Sequence, residues 1–137
     1  MSVTREELDA AYRRAIYRVE GYDLCIDCPH EGFDLWLGER GATHYALLTA
    51  YNPHSTLLPP AINAARHQTL LTHLHEMALT SSPAAAHDPH QEWPPETMVC
   101  LLDPPEDTPA ALGVIYAQNA IVRGRRGGVP KLLWLVN

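Results

Sequence analysis

Positive charge is scarce in this sequence. Ten basic residues face sixteen acidic ones over 137 positions, a formal net charge of −6. A general nucleic-acid coat needs the opposite balance, so nucleic acid is not an expected partner. Cysteine is scarce as well. Three thiols are an odd number and too few for a disulfide framework, which points to a reducing, cytoplasmic setting. No apolar run approaches the roughly 18 residues of a membrane span, so a membrane is not expected as a partner either. The opening residues Met-Ser-Val-Thr-Arg-Glu-Glu are acidic where a signal peptide needs a basic end and an apolar stretch. Also missing are a G-x-S-x-G elbow, an H-E-x-x-H helix and a P-loop, so no common motif names a reaction.

What remains is ordinary globular composition, 46% hydrophobic and 19% charged, at a length that suits one domain over 1–137. A domain of this size buries roughly 65–70% of its unfolded surface, enough for a core without staples. Nine of the ten basic residues are arginine, which base composition explains as readily as binding. Ten of the twelve prolines cluster near 53–60, 83–95 and 104–109 and mark connections.

Thr4 with Glu7 forms a capping box, and a helix over 5–14 follows. Strands are expected over 16–19 and 24–26, paired as a hairpin, then a short helix around 33–37 ending at Gly38 or Gly41. The run from His44 to Ala50 reads as a buried strand. Pro60 opens a helix that extends to about 79. Residues 80–95 read as a loop with a short strand before Trp93. A strand over 97–102, a helix from Thr108 to Tyr116, and strands over 120–122 and 131–136 complete the order. A Gly-rich turn at 124–128 joins the last two. The expectation is an α+β fold: one mixed, largely antiparallel sheet of five to seven strands with three or four helices.

The helix after Pro60 carries Asn63, His67, Leu70, Leu71, Leu74 and Met77 on one stripe, with Arg66 at its edge. The stripe is apolar in its second half and polar in its first, so the first turns are expected to border a cleft. The helix entry has no Ser, Thr, Asp or Asn cap, and free N–H groups beside Arg66 would favour an anion. The bland alternative is a solvated helix end.

Other candidate features are weaker. Cys25 and Cys28 form a C-x-x-C in a strand-like run, without the helix N-terminus of a redox motif or two further zinc ligands. His73 and His75 are two apart in a helix and point away from each other. His87 and His90 lack a third ligand. Arg123, Arg125 and Arg126 read as solvated turn charges.

The strongest constellation is made of amides. Asn52, Asn63, Gln118 and Asn119, with Arg66 and Glu96 as charges, fall at strand and helix ends, where ligands usually sit. Amides there can equally tie backbone together.

Thr49-Ala50-Tyr51-Asn52-Pro53 resembles the T-A-[YW]-N-P of a family of small bacterial proteins, domain of unknown function 3293. Asn63-Ala64-Ala65-Arg66 resembles its N-x-x-R, and Trp93-Pro94-Pro95-Glu96-Thr97 its W-x-x-E-[ST]. Gln118 through Val122 resembles its Q-N-A-[IV]-V, and Tyr12 and Tyr17 fit its opening pattern. The resemblance implies Asn52, Asn63, Arg66, Trp93, Glu96, Gln118 and Asn119 as marked positions, and it implies no activity. The three cysteines match no part of the pattern.

The resulting expectation is a soluble cytoplasmic domain with a polar pocket for a small anionic ligand. Arg66 would hold the anion, the amides would orient it, and Trp93 or Tyr51 would wall it. Glu96 is the one candidate base, and whether any reaction follows stays open. No metal or cofactor is required. The alternative is a non-catalytic interaction or structural module whose polar motifs form a buried network. The seven marked residues are expected to converge in space.

Overall fold

A computed structural model describes residues 3–136. Its elements run α1 (Arg5–Arg14), β1 (Ile16–Val19), β2 (Tyr22–Leu24), α2 (Glu31–Glu39), β3 (His44–Leu48), α3 (Pro60–Glu76), β4 (Thr80–His87), β5 (Glu96–Leu102), α4 (Thr108–Ile115), β6 (Ala120–Arg125) and β7 (Lys131–Trp134). The strands form one sheet in the order β2-β1-β4-β5-β3-β6-β7, and each neighbouring pair is antiparallel. Four helices on a seven-stranded sheet make this the α+β fold expected. β5 and β6 flank β3 and run the same way, so α4 carries the chain across β3 between them.

The pleat divides the apolar residues between two faces. Tyr45, Leu47, Met98, Cys100 and Val122 pack with Phe33, Trp36 and Leu37 of α2. α1 lies on the same face, where Tyr12 meets Trp134 of β7 at 5.6 Å between ring centroids. Leu48, Ala50, Val99, Leu101 and Ile121 point the other way, onto Leu70 and Leu74 of α3 and Leu112 of α4. Among the described residues no helix is long and apolar enough to cross a membrane.

Local signals explain most boundaries. The Thr4 hydroxyl accepts from the Glu7 N–H at 3.1 Å, as a capping box requires. α2 ends where Ala42 N–H reaches back to the Leu37 carbonyl across Gly41 at φ +67°, so Gly41 supplies the left-handed stop. On α3, Asn63, Leu70 and Leu74 are buried, but Met77 at the end of the expected stripe is 41% exposed.

β4 departs from the sequence pattern, which predicts a loop over 80–95 with only a short strand before Trp93. Thr-Ser-Ser-Pro-Ala-Ala-Ala-His has little strand propensity and contains a proline. Pairing on both sides holds it in the sheet, with β5 along its length and β1 along Ala84–His87. Pro83 lies just beyond the β1 ladder, so its missing N–H leaves no gap there. The second strand also ends earlier than expected, at Leu24. Cys25 to Cys28 form a tight turn, with Cys28 N–H on the Cys25 carbonyl and Asp27 at φ +65°.

Candidate functional site

The C-terminal end of β3 and the N-terminal ends of β5 and β6 meet at one edge of the sheet. The chain leaves β3 through a strained turn in which Asn52, His54 and Ser55 all have positive φ. Asn tolerates that conformation better than most residues. Its side chain then organises the turn. Asn52 Oδ1 accepts from Leu58 N–H at 3.0 Å and from Asn63 Nδ2 at 2.8 Å. Asn52 N–H in turn donates to Asn63 Oδ1 at 3.0 Å. The amide nitrogen Nδ2 of Asn52 donates to Glu96 Oε2 at 2.9 Å. One buried asparagine pair thus ties the β3 exit to the first turn of α3 and to the start of β5.

Arg66 works beside it. Its Nε donates to the Ala50 carbonyl at 2.5 Å and its Nη2 to the Tyr116 carbonyl at 2.7 Å. Tyr116 caps the C-terminus of α4, where a cation suits both the unpaired carbonyls and the helix dipole. Gln118 Nε2 adds a second donor to Tyr116 and one to the Tyr51 carbonyl. The α3 entry offers an anion little. Pro59 and Pro60 have no N–H, and those of Ile62 and Asn63 turn back to the Pro59 carbonyl. Arg66 is therefore a clamp between β3 and α4, and its charge does not face a cavity.

The cavity lies on the opposite side of Glu96, under α1. It has about 90 Å³ of space, walled by Tyr12 and Ala15 of α1, by Thr49, Met98 and Trp93, and by Glu96 itself. Gln118 reaches its wall, whereas Asn63 and Arg66 do not. Glu96 Oε1 has no protein hydrogen-bond partner among the described residues. Burial pushes the Glu96 carboxyl above its ordinary range, and the Asn52 donor pulls it part of the way back.

A second carboxyl on the same wall is pushed the other way. Asp88 lies far below its ordinary range, first because Arg14 grips it at 3.0 and 3.1 Å, with help from the N–H groups of His90 and Glu92. Its oxygens are fully used in holding the 88–92 loop that delivers Trp93. Asp88 is a fixed anchor, and Glu96 is the carboxyl with capacity left.

Asn119 serves the rim. Its Nδ2 donates to Ser55 Oγ at 3.1 Å, and its Oδ1 faces His54 Nδ1 at 3.3 Å. Ser55 Oγ lies 2.9 Å from the Tyr12 hydroxyl, so the turn after β3 is stitched to α1. The marked residues gather at one sheet edge, but they divide between two tasks. Asn52, Asn63, Arg66 and Gln118 satisfy backbone and one another, while Glu96 and Trp93 face the cavity. Sequence reasoning missed Tyr12, Thr49 and Asp88 as wall residues. Tyr12 fitted the opening pattern of the resemblance, which was the available signal; Asp88 gave none.

Of the remaining candidates His87 lines the cavity beside Asp88, and the cysteines sit apart. Cys25 is partly buried and Cys28 exposed at the turn after β2, and burial raises the Cys25 thiol above its ordinary range. Among the described residues no three His, Cys, Asp or Glu side chains are grouped closely enough to hold a metal.

A family model described as a protein of unknown function (DUF3293) matches residues 48–121, more than half of the chain, and the chain belongs to that family. The matched segment contains all seven marked residues and omits α1. No curated protein and no solved structure matches the chain.

Proposed function

We propose that this member of the family is a small-ligand-binding domain, with the cleft between α1 and the sheet as its site. The observation that carries the reading is Glu96, a mostly buried carboxyl on the wall of a largely apolar cavity, with one oxygen fixed by Asn52 and the other without a hydrogen-bond partner among the described residues. Binding sites of this kind pair an apolar wall with a few placed polar groups.

The charge expected of the ligand changes with the geometry. An anion would meet a carboxyl in this cleft, and Arg66 is already committed to two carbonyls. The site suits a neutral hydrogen-bonding group or a small cation, with Trp93 and Tyr12 against its apolar part. With about 90 Å³ of space, the site suits a compact ligand portion. Asn52, Asn63, Arg66 and Gln118 hold the walls of this site and need not touch the ligand.

The test compares n-butylamine with 1-butanol by thermal shift and ligand-observed NMR. A saturable preference for the amine that grows as pH rises through the Glu96 titration, and that Glu96→Gln removes, is the expected result. Equal and non-saturable responses in wild type and variant would defeat the reading. An interaction module remains the second reading, drawing on the exposed Leu57, Ile62, Val114 and Ile115. Self-association or partner capture lost on Val114→Ser, with the cleft unresponsive, is what it requires.

A further inference from the structure

Most basic side chains here have partners. Arg13, Arg14, Arg18 and Lys131 pair with carboxylates. Arg5 and Arg40 lie over the rings of Trp134 and Trp36. Arg123 and Arg125 are exposed, and their guanidinium groups have no carboxylate or carbonyl partner among the described residues. They stand two apart on β6, so they share one face of the strand with their backbones about 7 Å apart.

Both line an open groove of about 1,020 Å³ at the end of β3 away from Glu96. Pro104, Pro105 and Pro109 form a stiff wall opposite them. Gly124, between the arginines, has no room for a Cβ because the Tyr45 hydroxyl occupies that place, so the strand packs closely at this point. Of the acidic groups nearby, the Asp103 carboxylate is held by the N–H groups of Thr43 and His44, and the His44 ring by Asp103 and the Pro104 carbonyl. Lys131 is occupied by Asp27. Glu106 is the lining carboxylate without a partner among the described residues. The lining carries Arg123, Arg125 and Lys131 against Glu106, with the carboxylates of Asp27 and Asp103 held outside it by Lys131 and by backbone N–H groups.

We propose that this groove binds a phosphoryl-bearing small molecule, with Arg123 and Arg125 as the forks that take its anionic oxygens. Guanidinium forks match phosphoryl oxygens in geometry and charge. The groove is larger than a bare ion, so its apolar wall takes the organic part of a phosphate ester. The anion anticipated from the sequence thus has a place remote from Arg66, and this proposal stands independently of the Glu96 cleft.

Titrations with phenyl phosphate, pyrophosphate and inorganic phosphate, followed by ³¹P NMR and calorimetry at low salt, test it. Saturable one-site binding is expected, tightest for phenyl phosphate. Arg123→Ala and Arg125→Ala should each weaken it about tenfold or more, as loss of a charge-assisted hydrogen bond does. Glu106→Gln should tighten binding, and Arg126→Ala, on the adjoining turn but outside the groove lining, should leave it unchanged. Circular dichroism of these surface variants checks that they fold. Absence of saturable binding, equal binding by the double variant Arg123→Ala/Arg125→Ala, or a preference for a short single-stranded RNA over phenyl phosphate would overturn the proposal.

Discussion

Glu96 stands between two regions with opposite polar accounting. On one side, Asn52, Asn63, Arg66 and Gln118 form a knot whose side chains donate to backbone carbonyls, to one another and, from Asn52, to Glu96 itself. On the other side, a cavity wall of Tyr12, Met98 and Trp93 includes a carboxyl with one oxygen unpartnered among the described residues. Residues that belong to one sequence pattern therefore do different work. A satisfied buried network fixes geometry. A half-satisfied buried acid is available to something else. The strained turn at Asn52, His54 and Ser55 lies on the border, and the knot is what holds it in that conformation.

The sharpest way to break this comparison is to cut the knot. Arg66→Ala strands the Ala50 carbonyl, leaves that of Tyr116 to Gln118 alone, and should cost about 2–4 kcal/mol in chemical denaturation, given the worth of hydrogen bonds from a charged donor. Arg66→Lys should recover part of that loss, because it restores a cation at the α4 C-terminus but not the two-pronged grip. A loss below about 0.5 kcal/mol, the range of surface substitutions, would show that Arg66 is free for a ligand after all. Asn63→Ala should follow at about 1–3 kcal/mol, since it leaves the Asn52 N–H unpaired in the interior.

How much of this was legible differs between the two regions. The knot was readable as a set of residues, because Asn52, Asn63, Arg66 and Gln118 stand out as polar side chains at strand and helix ends. Their task was not readable. Whether an arginine on the edge of a helical stripe meets a ligand or two carbonyls depends on where α4 ends, and the chain near Arg66 says nothing of that. The cavity was half readable. Trp93 and Glu96 were marked, but Tyr12 comes from a helix more than eighty residues away in sequence and packs as part of an apolar face. The sheet was legible through its buried apolar runs, β3 and β5 above all. β4 was not, because neighbours on both sides hold Ser-Ser-Pro-Ala-Ala-Ala in a strand that its own propensities do not favour.

Glu96 permits a test on the cavity side. Its pKa is raised in the folded state by burial, so the unfolded chain ionises first as pH increases. Below the ordinary glutamate range both states are protonated, and the residue costs nothing through this linkage. As pH climbs through the unfolded and then the folded pKa, the native state loses stability relative to the unfolded one, and the penalty is complete above both. Glu96→Gln removes it. The variant should be more stable than wild type at neutral pH, with the difference shrinking towards acid. Asp88 has the reverse sign: its stabilisation is present above the unfolded pKa and fades as pH falls through the lower folded value. If wild type and Glu96→Gln have parallel stability profiles from acid to neutral pH, the carboxyl is already paired and the cavity has lost its distinguishing group.

The smallest effect on stability is expected at Trp93. The ring is half-buried on the cavity wall, and no hydrogen bond fixes its indole among the described residues. Trp93→Phe keeps an aromatic face, so the change in unfolding free energy should stay below about 1 kcal/mol, within the usual range for a conservative hydrophobic swap. Binding should be more sensitive than stability, because the indole supplies contact area to anything seated against Glu96 and a strong cation–π face to an ammonium group. The amine preference of the cleft should therefore fall several-fold in Trp93→Phe while the denaturation midpoint barely moves. Arg66→Lys gives the opposite pattern on the knot side, a lowered midpoint with the amine preference retained in the folded fraction. Measuring both quantities on both variants separates the regions. If Trp93→Phe instead lowers the midpoint as much as Arg66→Lys and leaves binding alone, Trp93 belongs to the structural network and the boundary drawn at Glu96 is misplaced.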